Sequence, residues 1–312
     1  MLDLTRKRIL VTGGNGFLGS HIIKELRNVG VSEIISPSSK VCDLRKEENI
    51  ISLLKDEQPN VVIHCAAAVG GIGANRDNPG SFFYENLIMG TQLMEQSRLS
   101  NVEKFVAIGT ICCYPKITPV PFKEEELWSG YPDETTGYYG LAKKMLLVQS
   151  KAYRKQYCFN SIFLMPVNIY GPGDNFIGEH AHVIPALVKK FVDAKVNKSE
   201  EVICWGTGMA TREFIYADDC AKAIVMATER YNSSEPVNIG TGQEMPIKNL
   251  AEKIAECIGY SGKIVWDRTK PDGQPRRCLD VTRAKEQFGF EATTSFDDGI
   301  KRTVDWYINN NL

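Results

Sequence analysis

The sequence has 312 residues, 43% hydrophobic and 24% charged, which is enough for one large or two modest globular domains. Lysine and arginine number 37 against 38 aspartate and glutamate, so the net charge of -1 predicts neither nucleic-acid nor membrane-surface binding. Nine cysteines, an odd count without a CxxC pair, argue against a disulfide framework, and we expect no metal site. The sequence shows no signal peptide or long apolar stretch, so we expect a cytoplasmic protein.

The first half of the chain alternates short apolar runs with helical patterns. "KRILVTGGNGFLGSHIIKELRNVG" predicts a strand, a tight turn and a helix, with apolar residues at helical spacing after the glycines. Further strands are predicted in "VSEIIS", "NVVIHCAAA", "KFVAIGT" and "NSIFLMPVNIYG", and helices in "NIISLLKDEQ", "FFYENLIMGTQLMEQSRL" and "YYGLAKKMLLVQSKAYRKQY". This order predicts an α/β fold with a Rossmann-like, doubly wound parallel sheet.

The residue composition of the chain changes after residue 170. Gly- and Pro-containing insertions such as "GPGDNFIGEHAH", "WGTGMATREF" and "KPDGQPRR" separate shorter helices and strands. We therefore predict a dinucleotide-binding domain at 1–170. Residues 171–312 are predicted to form mainly a smaller α/β substrate-binding lobe, with some segments returning to the first domain.

A glycine-rich loop joins the first predicted strand to the first helix. Gly13, Gly16 and Gly19 have the spacing GxxGxxG, which lets the backbone and the helix N-terminus approach a pyrophosphate. Similar glycine turns also occur without a ligand. The second strand ends in "SPSSK", where an acidic residue would bind the ribose of NAD, and hydroxyls with Lys40 suit a 2'-phosphate better. The sequence therefore favours NADP(H), although Asp43 follows closely; its alternative roles are an adenine contact or a helix cap.

The segment "TTGYYGLAKK" places Tyr139 and Lys143 four residues apart on one helix face. A lysine ammonium beside a phenol is expected to lower the pKa of the tyrosine and to make the pair a proton relay. The alternative is a helix face at a dimer contact with an extended lysine. The order along the chain, glycine loop, Thr110 at a strand end, then Tyr139 and Lys143, favours the proton relay.

These motifs together resemble the extended short-chain dehydrogenase/reductase family, whose members act on nucleotide sugars. Within it, "AAAVGGIGANRDNP", "CCYPK", "DNFIGEHAHVIPALVKKF", "WGTGMATREFIYADD" and "KPDGQPRRCLDVTRAK" resemble the GDP-L-fucose synthase branch, from about residue 8 to the C-terminus. The resemblance implies NADPH as cofactor, a GDP-4-keto-6-deoxy-sugar as substrate, and two activities, 3,5-epimerisation and 4-reduction.

The resemblance also implies roles for particular residues. Cys112 would be the epimerisation base and His182 the acid, while Thr110 and Tyr139 would bind the C4 carbonyl oxygen and Lys143 the cofactor ribose. Cys112 or the neighbouring Cys113 could instead be a packed thiol at the strand end, and His182 could be a structural histidine. His180 lies outside the matched "HVIP".

Ligand contacts are expected along both halves of the chain. Expected cofactor contacts are Gly13, Asn15, Gly16, Phe17, Leu18, Gly19, Ser36, Ser38, Asp43, Leu44, Ala66, Ala67, Ile108, Gly109, Tyr139, Lys143, Pro166, Asn168, Ile169 and His182. Expected substrate contacts are Asn168, Val183, Lys190, Trp205, Arg212, Asp272 and Arg276, with Arg277 as the alternative to Arg276. The positive side chains suit a substrate diphosphate, and their alternative is solvated surface charge.

Two positions depart from the family pattern. Thr110 replaces the usual serine, and Gly137 and Tyr138 precede Tyr139 where a Glu/Ala-Pro pair is common. Alternative functions are a 4-reductase or 3,5-epimerase of another GDP-sugar, or a non-catalytic NADP-sensing regulator. We also expect a homodimer through the helices at 81–98 and 139–157, whose apolar residues could equally pack on their own sheet.

Overall fold

A parallel sheet forms the centre of the first domain in the computed structural model, which describes residues 1–177, 181–270 and 272–311. The strands are β1 (Ile9–Thr12), β2 (Ile34–Ile35), β3 (Val61–His64), β4 (Lys104–Ile108), β5 (Ser161–Pro166), β6 (Asn168–Tyr170), β7 (Glu201–Trp205), β8 (Thr211–Tyr216), β9 (Val237–Ile239), β10 (Glu244–Pro246) and β11 (Lys263–Asp267). The helices are α1 (Phe17–Asn28), α2 (Glu47–Glu57), α3 (Ile72–Asp77), α4 (Pro79–Leu99), α5 (Gly137–Tyr157), α6 (Val183–Val196), α7 (Ala217–Arg230), α8 (Ile247–Ile258), α9 (Thr282–Phe288) and α10 (Phe296–Asn311). Short 3-10 helices cover Leu4–Arg6, Ile111–Cys113 and Glu124–Trp128.

The large sheet has six strands in the order β2-β1-β3-β4-β5-β9, all paired in parallel. Its central strands are apolar because helices cover both faces; every residue of β1, β3 and β4 is buried. The predicted doubly wound α/β fold is confirmed. The strand order reverses direction between β1 and β3, so the crevice at their carboxyl ends is the expected ligand position.

The predicted strand "NSIFLMPVNIYG" is two strands that belong to different sheets. β5 ends at Pro166, and the Val167 N–H donates to the carbonyl of Ile239 in the large sheet. Asn168 begins β6, which pairs in parallel with β8, and its Nδ2 donates to the carbonyl of Glu213 at 2.9 Å. The chain therefore leaves the large sheet at Val167 and enters the second lobe at Asn168.

The second lobe has its own hydrophobic core, built from α6, α8, α10 and the small sheets β10-β8-β6 and β11-β7. Residues of later segments also enter the first core: Ile215, Val237, Leu279 and Phe288 are buried with the residues of the large sheet. Of the helices that the structure describes, none is long and apolar enough to span a membrane.

The Glu213 side chain on β8 binds two other segments of the chain at the boundary between the lobes. Its side chain is fully buried. Oε1 accepts from the N–H groups of Thr241 at 2.6 Å and Gly242 at 2.8 Å, and Oε2 accepts from that of Leu279 at 2.6 Å. Burial raises the pKa of this carboxyl, and the backbone donors oppose that rise. The carboxylate thus fixes the turn after β9 and the segment that leads into α9.

We predict that Glu213→Gln destabilises the fold, because an amide has one acceptor oxygen where backbone donors meet two carboxylate oxygens. The expected loss is about 2 kcal/mol, from a buried N–H left without an acceptor. Urea unfolding would measure it, with Glu256→Gln on the exposed face of α8 as the matched control. Equal unfolding midpoints for the two variants would contradict the role given to Glu213.

Candidate active site

A single cavity of about 1570 Å³ runs from the glycine loop to the second lobe. It opens at the carboxyl ends of β1, β3 and β4 and continues along the N-terminal half of α6. All the predicted catalytic residues line it: Thr110, Cys112, Tyr139, Lys143 and His182. Of the other expected ligand contacts, Ser36 and Arg276 lie outside the lining and the rest lie within it.

The glycine loop can accept a pyrophosphate at close range. Gly13 has a φ of +71°, and a Cβ there would come within 2.8 Å of the Ala66 backbone. A Cβ on Gly19 would overlap the carbonyl oxygen of Gly13. Gly16 is the N-cap of α1 and has no side chain to occupy the N–H groups of the first helical turn. These N–H groups and the positive end of the helix dipole suit a phosphate.

The segment after β2 differs from the sequence expectation at Ser36. The Ser36 hydroxyl is buried beneath Gly14, within contact of where a Cβ would stand, and has no hydrogen-bond partner among the described residues. Ser38 and Ser39 instead line the cavity. Lys40, which we expected near a 2'-phosphate, is exposed and lies outside the cavity lining.

Arg45 also lines the cavity, and the sequence analysis did not predict it as a ligand contact. Its Nε and Nη2 donate to the two carboxylate oxygens of Asp43 at 2.9 and 3.0 Å, and its Nη1 donates to Glu85 at 3.2 Å. Hydrogen bonds from Arg45 hold the pKa of Asp43 below its usual value. The "DLR" sequence was the available signal, since a fork-shaped guanidinium pairs well with a nearby carboxylate.

Tyr139 and Lys143 both lie on the first turns of α5 and are buried. Burial raises the pKa of Tyr139, and the nearby thiols add to the rise, while a hydrogen bond with Thr110 opposes it. The expected lowering of the tyrosine pKa is therefore wrong for the protein without ligands, because desolvation of the phenolate dominates. Burial also lowers the pKa of Lys143 to about 8. A neutral phenol in this position is a proton donor.

The two adjacent cysteines of "CCYPK" have different environments. Cys113 is fully buried and its thiol contacts the Gly140 carbonyl at 3.3 Å, and burial raises its pKa to about 12. Cys112 is half-buried and lines the cavity; its N–H donates to the Thr110 hydroxyl at 3.2 Å. Cys113 is thus the packed thiol, and Cys112 faces the cavity.

His182 enters the cavity from the other side, as the N-cap of α6. Its side chain is 46% exposed, and its Nδ1 lies 3.9 Å from Oδ1 of Asp174. The second carboxylate oxygen of Asp174 is buried without a hydrogen-bond partner among the described residues. An acidic side chain therefore lies beside the imidazole. His180 lies outside the described residues.

The second lobe supplies positive charge and one flat aromatic surface. Arg212 and Lys190 line the cavity, together with Lys270, which the sequence reading missed. Burial and then neighbouring Arg277 lower the pKa of Arg212 to about 10, within the range in which it stays charged at neutral pH. The Trp205 indole is 58% exposed, with the ammonium groups of Lys190 and Lys270 5.9 and 5.5 Å from its ring.

Two residues of this lobe that we expected to bind the substrate, Asp272 and Arg276, have partners within the protein. The Asp272 carboxylate accepts from the N–H and hydroxyl of Thr207 at 2.6 and 2.7 Å, and these bonds lower its pKa. Arg276 forms an ion pair with Glu244 outside the cavity. Arg277 lines the cavity in its place. Neighbouring residues of an extended segment point in opposite directions, so only one of the two arginines can face the ligand.

Comparison with known proteins shows the family to which the chain belongs. The chain matches the model of the NAD dependent epimerase/dehydratase family over residues 9–240. It is 40% identical to GDP-L-fucose synthase 1 of Arabidopsis thaliana over 303 residues, covering 97% of this chain and 94% of that protein.

Two solved structures are similar over nearly their whole length. One is a GDP-6-OMe-4-keto-L-xylo-heptose reductase from C. jejuni, with a TM-score of 0.94, 27% identity and 100% of both chains covered. The other is a GDP-L-fucose synthetase from Naegleria fowleri bound to NADP, with a TM-score of 0.91, 28% identity and coverage of 99% of this chain and 95% of that one. By sequence and fold, the chain belongs to the NAD dependent epimerase/dehydratase family.

Proposed function

We propose that the protein converts GDP-4-keto-6-deoxy-D-mannose to GDP-L-fucose, by epimerisation at C3 and C5 and an NADPH-dependent reduction at C4. The observation that carries the proposal is the shared cavity: the Tyr139 phenol, the Cys112 thiol and the His182 imidazole all line it. One sugar ring bound there would meet groups for both chemistries. The GDP-L-fucose synthase relatives support the identity of the substrate.

NADPH fits the part of the cavity formed by the first domain. The glycine loop and the N-terminus of α1 would hold its pyrophosphate, because a side chain at Gly13 or Gly19 would close the approach. Ser38 and Ser39 would face the 2'-phosphate, and Lys143 would hold the nicotinamide ribose. The bound cofactor supplies a hydride for the C4 carbon.

The epimerisation needs a base, an acid and a group that stabilises an enolate. Hydrogen bonds from Tyr139 and Thr110 to the C4 oxygen make the protons on C3 and C5 removable. Cys112 would take each proton, and His182 would return one to the opposite face of the carbon. Tyr139, which its raised pKa keeps protonated at neutral pH, then donates its proton to the C4 oxygen in the reduction.

The second lobe would hold the GDP part of the substrate. Arg212, Lys190 and Lys270 concentrate positive charge in a chain whose net charge is only -1, as a diphosphate requires. The exposed face of Trp205 offers a stacking surface for the base. Val183 and Asn168, which also line the cavity, would border the sugar.

We also propose a homodimer in the cytoplasm. Leu93, Leu146 and Leu147 on α4 and α5 are buried within the chain, whereas Phe83, Tyr84 and Val148 on the same two helices are exposed. Exposed apolar side chains on two packed helices suit a two-fold contact with a second copy. The nine free thiols suit a reducing compartment.

The dimer has a direct test. Gel filtration with light scattering is expected to give twice the 34.9 kDa of one chain, and Val148→Asp is expected to give the monomer mass. A monomer mass for the unmodified protein would remove this part of the proposal.

The cofactor assignment predicts that Ser38→Asp reduces the preference for NADPH, because a carboxylate repels the 2'-phosphate and accepts hydrogen bonds from a ribose hydroxyl. We expect the ratio of kcat/KM with NADPH to that with NADH to fall at least about tenfold, or about 1.4 kcal/mol. Lys40→Ala is the control, since this exposed lysine lies outside the cavity lining. If Lys40→Ala changed the ratio and Ser38→Asp did not, the 2'-phosphate would lie elsewhere.

The assignment of Cys112 predicts that Cys112→Ser stops the exchange of protons at carbon. In deuterated water with the GDP-4-keto sugar and NADPH, the unmodified protein is expected to incorporate deuterium at C3 and C5. The serine variant should lose at least about a hundredfold in this rate, because a hydroxyl is a far weaker base than a thiolate. Mass spectrometry and NMR of the sugar measure the label.

The matched control for that experiment is Cys158→Ser, which changes an exposed thiol far along the chain, after α5. Label at C3 and C5 that persists in Cys112→Ser would contradict the assignment of the base. NADPH consumption without label in the unmodified protein would indicate a simple 4-reductase, as the similarity to the heptose reductase allows.

A further inference from the structure

Arg277 is the charged side chain that contacts the thiol of Cys112. Its Nη1 lies 3.8 Å from the Cys112 Sγ, within the range of a hydrogen bond to sulfur, and both side chains line the cavity. We propose that Arg277 is a catalytic residue that holds Cys112 as a thiolate, and that Gln274 positions its guanidinium. This inference rests on the role of Cys112 as base in the proposed function and adds the group that makes the base available.

The guanidinium of Arg277 is fixed by the segment that carries it. Its Nε donates to Oε1 of Gln274 at 2.6 Å, and Nε2 of Gln274 donates to the carbonyl of Lys116 at 2.7 Å. Lys116 closes the same "CCYPK" stretch that contains Cys112. Gln274 therefore links the arginine of the second lobe to the segment of the first domain that contains the cysteine.

The backbone on either side of Arg277 is also anchored. The carbonyls of Pro275 and Arg277 accept from the N–H groups of Thr211 and Glu213 on β8, at 2.9 and 3.1 Å. This extended segment turns the side chain of Arg277 toward Cys112 and that of Arg276 toward Glu244. The contact between Arg277 and the sulfur thus follows from the hydrogen bonds that hold the backbone of this segment to β8.

Among the groups around Cys112, the charged ones are positive. Arg212 lies near enough to interact with the Cys112 charge, although its Nη1 donates to the carbonyls of Thr211 and Gln274. Tyr139 and Cys113 also face Cys112. Burial raises the pKa of both, to about 12 for Cys113, so both are neutral at physiological pH. Of these groups, the two guanidiniums carry charge near the sulfur, and Arg277 contacts it.

A thiolate at this position completes the proton balance of the epimerisation. The sulfur takes the proton from C3 or C5. The electron pair of the broken C–H bond forms the C=C bond of the enolate, and the π pair of the carbonyl moves to the ketone oxygen. The carbon then takes a proton from His182 on the opposite face, and the enolate returns to the ketone. Cys112 and His182 regain their first protonation states by exchange with water. The positive charge of Arg277 stays fixed throughout.

The test measures the alkylation rate of Cys112 in the intact chain by iodoacetamide, which reacts with the thiolate. Trypsin releases Cys112 and Cys113 in one peptide, and fragment ions separate the two. At about pH 7, Arg277→Gln is expected to slow alkylation of Cys112 at least about fivefold, with the rate recovering at about pH 9.5. Arg277→Lys should retain part of the rate, and Gln274→Met should give an intermediate loss.

The matched control is Arg276→Gln, because the neighbouring arginine pairs with Glu244 and should leave Cys112 alkylation unchanged. NADP+ affinity, measured on every variant, reports whether the first domain is intact. Unchanged alkylation in Arg277→Gln would overturn the inference. Weaker GDP binding with unchanged alkylation would overturn it too, and would make Arg277 a diphosphate ligand. Because alkylation needs no sugar, these outcomes are separate from any failure of the proposed substrate.

Discussion

The close contact between Gly140 and the backbone of Cys112 is the constraint on which the site depends. A Cβ at position 140 would overlap the Cys112 carbonyl oxygen, so glycine alone allows α5 to lie directly on the 3-10 helix Ile111–Cys113. Tyr139 and Lys143 belong to the same first turns of α5. The contact therefore sets the distance between the phenol and the thiol, and places both at the carboxyl end of β4.

Backbone hydrogen bonds hold a segment of the second lobe next to Cys112. The 275–279 segment runs beside β8, where Glu213 holds Leu279, and Cys278 accepts from the N–H of Phe122 in the first domain. Arg277 lies on this segment and contacts Cys112, and His182 is the N-cap of α6. The proposed acid, the proposed base and the guanidinium thus come from three parts of the chain that are held by different contacts.

Much of the first domain could be predicted from the sequence, because short apolar runs, glycine turns and helical spacing are local signals. The glycine loop, the strand-end Thr110 and the Tyr139-Lys143 pair all lie where local pattern places them. The resemblance to the family added Cys112 and His182, which no local pattern distinguishes from packed residues.

The remaining features depend on contacts between distant segments. The division of one apolar run at Val167 follows from its bond to Ile239, and the choice of Arg277 over Arg276 follows from pairing with β8. The burial of the Ser36 hydroxyl depends on its packing beneath Gly14. The direction of the Tyr139 pKa shift depends on how completely the folded chain excludes water, which the YxxxK spacing alone does not contain.

The central claim is that one sugar ring receives both chemistries in this cavity. The most direct measurement uses the GDP-4-keto-6-deoxy sugar and NADPH that carries the transferable deuterium at C4 of the nicotinamide, followed by NMR of the isolated product. We expect deuterium at C4 of a sugar whose configuration is inverted at C3 and C5. Deuterium at C4 of a sugar that keeps its original configuration at both carbons would contradict it.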